Sequence, residues 1–381
     1  MKAPLKFGVV GCGTVSLRGL IPHLAEKDLA DRVQLTALCD PIADRVEHAA
    51  HAYGVPQAFT SYEEFLEKGG VDAITIASPI GVHFEQGMKA LEAGKHIHFN
   101  KTMSVTTEES DKLIDLAAKK GLKIVSSPGE MLRPHNIAVK KMLADGVIGD
   151  VTWALAGAAF GSYHEDEPER DLGTGLTPID PSWYFRKPGG GPLFDMTVYA
   201  LHGMTGILGP ARAVTALSGI RIPERRFAER VIPTEADDNT LMLLDFGDGL
   251  FAMVYGTAAG AVKNSLDFSG TYYGTRGKIE GLKLNGEYFD YPGRDIAVTA
   301  PDGGTQPGFG GNEWILPNIE GVHRQIGEQH VFADIMQLVD WVRDGKQSVA
   351  TAEHARHVVE IVEAAYKSAA TGQRQALRTI F

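Results

Sequence analysis

No stretch of this chain constrains its fold more than Lys6 to Asp40. It opens Lys6-Phe7-Gly8-Val9-Val10-Gly11-Cys12-Gly13-Thr14-Val15-Ser16. An apolar run too short for a helix meets a Gly-x-Gly turn, and a helix-permitting segment follows at once. A second apolar run, Val33 to Cys39, then ends on Asp40. Strand, tight turn, helix, strand and acid, in that order, are the opening of a dinucleotide-binding fold. Gly11 allows the sharp turn, and Gly13 lets the backbone approach a pyrophosphate. The turn through Thr14 and Val15 leads into a helix whose N-terminus offers unpaired N–H groups and a positive dipole end. Ser16 stands where a third glycine is usual and is small enough for helix and strand to pack.

A chain of 381 residues is long for one core, so two domains are expected. The net charge of −11 argues against a nucleic-acid surface, which needs a clustered basic patch. No run approaches the roughly 18 apolar residues of a membrane span, and the early first strand leaves no room for a cleaved signal peptide. Cys12 and Cys39 are the only cysteines; they read as small buried thiols, and their scarcity fits a reducing cytoplasm.

Up to about residue 128 the chain alternates strand and helix patterns. Ala43 to Tyr53 suits a helix stopped by Gly54 and Pro56, and Ser61 with Glu64 forms a capping box. Val71 to Ala77 is a strand broken by Ser78-Pro79. A helix then runs to Gly94, and Lys95 to Phe99 is a strand ending at Asn100-Lys101. Thr106 and Glu109 cap a helix that Gly121 ends before the strand Leu122 to Ser126. Such units imply a doubly wound parallel sheet, a Rossmann domain over residues 1–128. Residues 129–381 change character. A helix from about Pro134 to Ala144 precedes the apolar or alternating segments Val151–Phe160, Ala213–Ile222, Thr240–Phe246, Leu250–Tyr255, Ser265–Thr271 and Lys278–Leu282. Phe246 to Gly249 reads as a hairpin turn. This predicts an α+β domain with a large, open, mainly antiparallel sheet, closed by helices at His330–Arg343 and Thr351–Ser368. Asp166 to Asp180 and Pro292 to Asn318 read as long loops of the kind that shape ligand sites.

Two places carry candidate chemistry. Lys101 follows its strand by two residues, at the sheet edge where α/β folds bind ligands. There a lysine can hold a substrate hydroxyl or steady a developing alkoxide; a solvated lysine at a helix start is the plain alternative. The second place is Gly189-Gly190-Gly191-Pro192-Leu193-Phe194-Asp195-Met196-Thr197-Val198-Tyr199-Ala200-Leu201-His202. Pro192 suits a first helical residue. Asp195, Tyr199 and His202, spaced by four and then three, share one helix face, while Phe194, Val198, Leu201 and Leu208 would pack on the sheet. Arg133, Trp183, Arg186 and His330 are further candidates for holding substrate. The 13 histidines are scattered, and His96-x-His98 lacks a partner acid or third ligand, so no metal is expected.

With these pieces placed, the chain resembles the glucose–fructose oxidoreductase and inositol dehydrogenase family, Gfo/Idh/MocA, over nearly its whole length. The matching stretches are Phe7 to Gly13, Ile76-Ala77-Ser78-Pro79 with His83, Ala90 to His96, and Gly189 to Asp195. The resemblance implies a Rossmann domain, then a domain whose open sheet forms oligomer contacts in a homodimer or homotetramer. It implies NAD or NADP and a sugar, polyol or related ring alcohol. The family's lysine falls on Lys101, its acid on Asp195, and its His-or-Tyr on Tyr199. It places Ser78, Pro79, His83 and Asn100 beside the cofactor. Three departures stand out: Asn100-Lys101-Thr102 replaces Glu-Lys-Pro, Thr102 lacks the proline ring, and His202 takes the place of an Asp or Asn.

Asp40 can bond a ribose 2′-OH and would repel a 2′-phosphate, so NAD is favoured over NADP; Arg45 tempers that preference. Tyr199 or His202 is expected to take the hydroxyl proton while Lys101 holds the same oxygen and Asp195 orients neighbouring hydroxyls. The expected activity is NAD-dependent oxidation of a ring hydroxyl of a sugar or glycoside, with C3 of a hexose a candidate position. A glycosidase that oxidises C3 transiently, eliminates, adds water and re-reduces is the alternative. A cofactor-sensing regulatory binder is a third reading, disfavoured by the retention of Lys101 and Asp195.

Overall fold

The computed structural model describes residues 2–161, 176–227, 229–260, 265–294 and 316–381, with the backbone alone at 265–268. Of the two long loops expected from sequence, residues 166–175 and 295–315 lie outside the described residues. Six strands form one parallel sheet: β1 (Leu5–Val10), β2 (Val33–Cys39), β3 (Gln57–Phe59), β4 (Ala73–Ile76), β5 (His96–Phe99) and β6 (Ile124–Ser126). Their order is β3-β2-β1-β4-β5-β6. Winding reverses between β1 and β4, which pair Val10 with Ile76, and ligands of such sheets bind beyond the carboxyl ends at that point. The residues of β4 are all buried, as a sheet covered on both faces requires. The edge strand β3 was not legible in sequence: its three residues beside Pro56 are too few to show a period.

Local signals set the helix limits. Gly54 and Gly121 end their helices in the left-handed conformation. Thr106 and Glu109 exchange both hydrogen bonds of a capping box, a device that contributes about 1 kcal/mol.

The chain is not divided once near residue 128. Among the described residues, those within Met1–Pro128, Asp166–Asp180 and Asn318–Ala352 cluster as one compact unit, and those within Gly129–Glu165, Pro181–Pro317 and Glu353–Phe381 as a second. The helix Gln329–Asp344, grouped with the second domain in the sequence reading, belongs to the first unit because its apolar residues lie across β5 and β6. A buried polar chain ties it there. The Thr75 hydroxyl faces His98 Nδ1, His98 Nε2 faces the Ser127 hydroxyl, and Ser127 donates to Asp334.

The second unit is built on β7 (Val151–Ala159), β8 (Ala213–Gly219), β9 (Glu224–Phe227), β10 (Arg230–Pro233), β11 (Asn239–Gly247), β12 (Leu250–Thr257), β13 (Ser265–Gly274), β14 (Gly277–Glu280), β15 (Lys283–Leu284), β16 (Glu287–Tyr288) and β17 (Gln375–Ala376). Nine of them make one sheet, β16-β15-β14-β13-β7-β12-β11-β8-β17, while β9 and β10 form a separate hairpin. Its ladders are antiparallel except for β7 with β12. One face is buried; the other exposes Trp153, Leu217, Leu241, Leu243 and Phe251, with Leu217 75% exposed. An apolar face of this kind marks an interaction surface. From β9 of the hairpin, Arg225 donates to the Asp238 carboxylate at 2.7 Å and to the Ala258 carbonyl at 2.8 Å, with the Arg225 and Asp238 side chains 0% and 3% exposed. No described helix is long and apolar enough to cross a membrane.

Candidate functional site

In the first unit, the turn after β1 is shaped by what it must clear. Gly11 sits at φ +91°, and a Cβ there would meet the Ala77 carbonyl at 2.8 Å, so the first turn and the end of β4 touch only because Gly11 has no side chain. At Gly13 a Cβ would face open space, the clearance a pyrophosphate needs. Thr14 Oγ1, buried beside it, has no hydrogen-bond partner among the described residues. The helix that follows begins with a π-wound turn, Ser16–Leu20, and Ser16 donates to the Gly11 carbonyl at 2.5 Å. Asp40, 4% exposed, accepts from the Cys12 N–H at 2.8 Å and the Ile42 N–H at 2.9 Å. Each carboxylate oxygen keeps a lone pair for a ribose hydroxyl. Burial raises the pKa of the Cys12 and Cys39 thiols, so both are inert fillers of these turns.

Beyond β4 and β5 lie Ser78, Pro79, Asn100 and Lys101. Asn100 donates its N–H to the Ile76 carbonyl at 2.9 Å, while its side-chain Oδ1 is buried without a partner among the described residues. Lys101 is half-buried, and its peptide bond to Thr102 is cis. His83 serves this edge through the backbone: its Nδ1 lies 2.7 Å from the Thr102 carbonyl and its Nε2 2.8 Å from the Ser78 carbonyl. Burial lowers the pKa of this ring, and the two carbonyls oppose that shift. His330 lies against Glu328 at 3.9 Å, and Glu328 in turn binds Arg18 on the π-wound turn.

In the second unit, the triple glycine is dictated by crowding. A Cβ on Gly190 would lie 2.2 Å from the Arg186 carbonyl, and Gly190 donates its N–H to that same oxygen. The helix it leads into departs from the sequence reading in two ways. Leu193–Thr197, which carries Asp195, is wound as a π-turn, and only Val198–Leu208 is α-helical. Wide turns of this kind recur at functional sites because they re-aim the side chains they carry. The α-helical part also has no solvent face: all its residues but Leu208 are buried, with the sheet on one side and the segments Glu130–Leu132 and Pro134–Ala144 also packed against it. Tyr199 is 2% exposed and His202 is 4% exposed. The His202 ring lies against His354, which stacks on Phe381.

Of the other candidates, Arg133 is buried and paired with Glu130 at 3.0 Å, which also accepts from Asn136. Trp183 stacks on Tyr184, and Arg186 is exposed on the turn. Among the described residues no cluster of His, Cys, Asp and Glu could hold a metal ion.

Residues 5–127 match the family model described as an oxidoreductase family with an NAD-binding Rossmann fold, and residues 137–280 match that of the GFO/IDH/MocA C-terminal domain. The chain belongs to the Gfo/Idh/MocA family. Within it, a scyllo-inositol 2-dehydrogenase (NADP(+)) of Bacillus subtilis is 23% identical over 96% of this chain and 93% of its own. A dTDP-3,4-didehydro-2,6-dideoxy-alpha-D-glucose 3-reductase of Actinomadura kijaniata is 27% identical over 54% of this chain, a match that spans 57% of the relative's length. The fold matches that of the Bordetella pertussis WlbA dehydrogenase, solved with NADH and UDP-GlcNAcA, at a TM-score of 0.73 with 20% identity over 99% of each chain. Residues 5–127 are accordingly an NAD-binding Rossmann domain.

The buried histidines give this family member a defined acid response. Burial holds His98, His135 and His202 down to about 3, and His357 to about 4. Unfolded rings take up protons near pH 6.5, so between there and about pH 4 the unfolded chain binds more protons than the folded one. Stability is therefore fully present above that window and lost as pH falls through it. A Tm series from pH 8 to pH 4 is expected to be flat above about 6.5 and to fall steeply below. A Tm independent of pH down to 4 would mean that these rings are not buried as neutral groups.

Proposed function

We propose that the chain is an NAD-dependent oxidoreductase acting on a secondary ring hydroxyl of a sugar or glycoside. The observation that carries this reading is the crevice of the first unit, where the open space above Gly13 and the unpartnered Thr14 Oγ1 and Asn100 Oδ1 lie along one sheet edge with Asp40 and Lys101. These residues fit a dinucleotide: the glycine turn and helix N-terminus for the pyrophosphate, Asp40 for a ribose, and Asn100 for the nicotinamide end. When bound, NAD supplies the hydride acceptor. The protein supplies position and proton handling.

Lys101 holds the oxygen of the hydroxyl and favours its anionic form as the C–H electron pair leaves. Asp195, onto which the family's acid falls, is the group expected to orient neighbouring hydroxyls, and of Tyr199 and His202 the reading favours Tyr199 as the proton acceptor. His202 is the weaker acceptor, because a ring held to about 3 cannot keep a proton at neutral pH. The 3-reductases among the relatives favour C3 as the reacting carbon.

The test is incubation with NAD and a panel of sugars, inositols and aryl glycosides. Net NADH formation with a 3-keto product is the expected outcome. Release of the aglycone without net NADH would replace this reading with the redox-neutral glycosidase.

A further inference from the structure

Arg45 is the basic side chain nearest Asp40 at the ribose end of the crevice, where some dinucleotide sites place an arginine for the 2′-phosphate. Its guanidinium is otherwise engaged. Nη1 lies 3.6 Å from Asp40 Oδ2, and Nη2 donates to the carbonyls of Thr177 and Pro178 at 3.4 and 3.3 Å. The side chain is only 12% exposed. The segment that receives it is fixed independently. Asp44, next to Arg45 at the start of the helix Ala43–Tyr53, accepts from both the N–H and the hydroxyl of Thr177, at 2.7 and 2.8 Å. These bonds hold the Asp44 carboxyl below the usual carboxylate range, and Ile179, 7% exposed, anchors the segment by its apolar side chain.

We infer that Asp44 and residues 177–179 are specificity determinants: they hold Arg45 in a latch that keeps its donors from a 2′-phosphate, so that NAD is selected by two devices. One is the Asp40 carboxylate, which repels the phosphate. The other is the sequestering of Arg45, the arginine that lies beside Asp40. A phosphate site needs a guanidinium turned outward with a pair of N–H groups side by side. Turning Arg45 outward would break its two carbonyl contacts, and Asp44 keeps those carbonyls where they are.

The consequence separates this inference from a simple charge rule. Removing the acid alone opens room for the phosphate without supplying a receptor. The inference rests on the dinucleotide assignment of the crevice, which NADH titration of the unaltered protein checks by itself. Binding of NADH and NADPH is measured by nicotinamide fluorescence on the full chain and on the variants Asp40→Ser, Asp44→Ala, Asp40→Ser/Asp44→Ala and Asp40→Ser/Asp44→Ala/Arg45→Ala. Asp40→Ser is expected to weaken NADH about tenfold while changing NADPH affinity less than about threefold. The double variant is expected to bind NADPH at least about tenfold more tightly than Asp40→Ser, and the triple variant to lose that gain. If Asp40→Ser alone gives the full NADPH gain, or the double variant adds nothing to it, the latch is wrong. Should Asp40→Ser fold poorly, Asp40→Asn keeps an acceptor for one of the Cys12 and Ile42 N–H groups and carries the same comparison.

Discussion

Replacing Lys101 by alanine is expected to lower kcat about a thousandfold while leaving NADH affinity within about threefold. The split between the two readouts follows from where the residue sits. Its neighbour Asn100 is pinned to β4 by its N–H on the Ile76 carbonyl, and Thr102 is held by His83. The backbone of this edge, which serves the cofactor, is therefore fixed by groups other than the lysine side chain. What the substitution removes is a cation at the oxygen that becomes anionic as hydride leaves. Single-turnover kinetics with the best sugar of the panel, beside NADH fluorescence titration, measures both quantities. Lys101→Arg keeps the charge but substitutes a planar fork for a compact ammonium, so it should recover only part of the rate. Turnover that survives in Lys101→Ala would remove Lys101 from the chemistry.

The largest effect on stability is expected at Asp238. Asp238→Ala leaves the Arg225 guanidinium buried without its counter-ion and should cost about 3–5 kcal/mol, seen as a Tm lower by about 10 °C. The carboxylate also receives the N–H groups of Arg221 and Ile222, so the turn into β9 loses its acceptors in the same step. Asp238→Asn, which retains one oxygen for those amides, should cost less. Equal losses in the two variants would show that the charge pair dominates and that the backbone acceptors contribute little.

How much of this was legible in the residues differs from element to element. The parallel sheet was, because each of its longer strands is a compact apolar run bounded by Gly, Pro or a cap, and a turn such as Gly11-Cys12-Gly13 has few other uses before a helix. The position of Lys101 just after β5 was legible as well. The winding of Leu193–Thr197 was not, since α- and π-turns differ by one residue per turn and no side chain announces the change. Nor was the Asp44–Thr177 contact legible. Asp44 reads as an ordinary acid in the first turn of a helix, and its partner is 133 positions away. The burial of His202 escaped for a related reason. Nothing in the helix sequence says that the elements Glu130–Leu132 and Pro134–Ala144 pack against it besides the sheet.

The return of the helix Gln329–Asp344 to β5 and β6 has a consequence for how the protein is made. When the first 128 residues have left the ribosome, every strand of the parallel sheet exists, yet its cover over β5 and β6 is still about 200 residues from being synthesised. At bacterial and eukaryotic elongation rates that is an interval of about 10–40 s. Through it the nascent chain presents an apolar sheet face to whatever it meets, and the dinucleotide domain reaches its final form only after the other domain's strands β7 to β16 have been made.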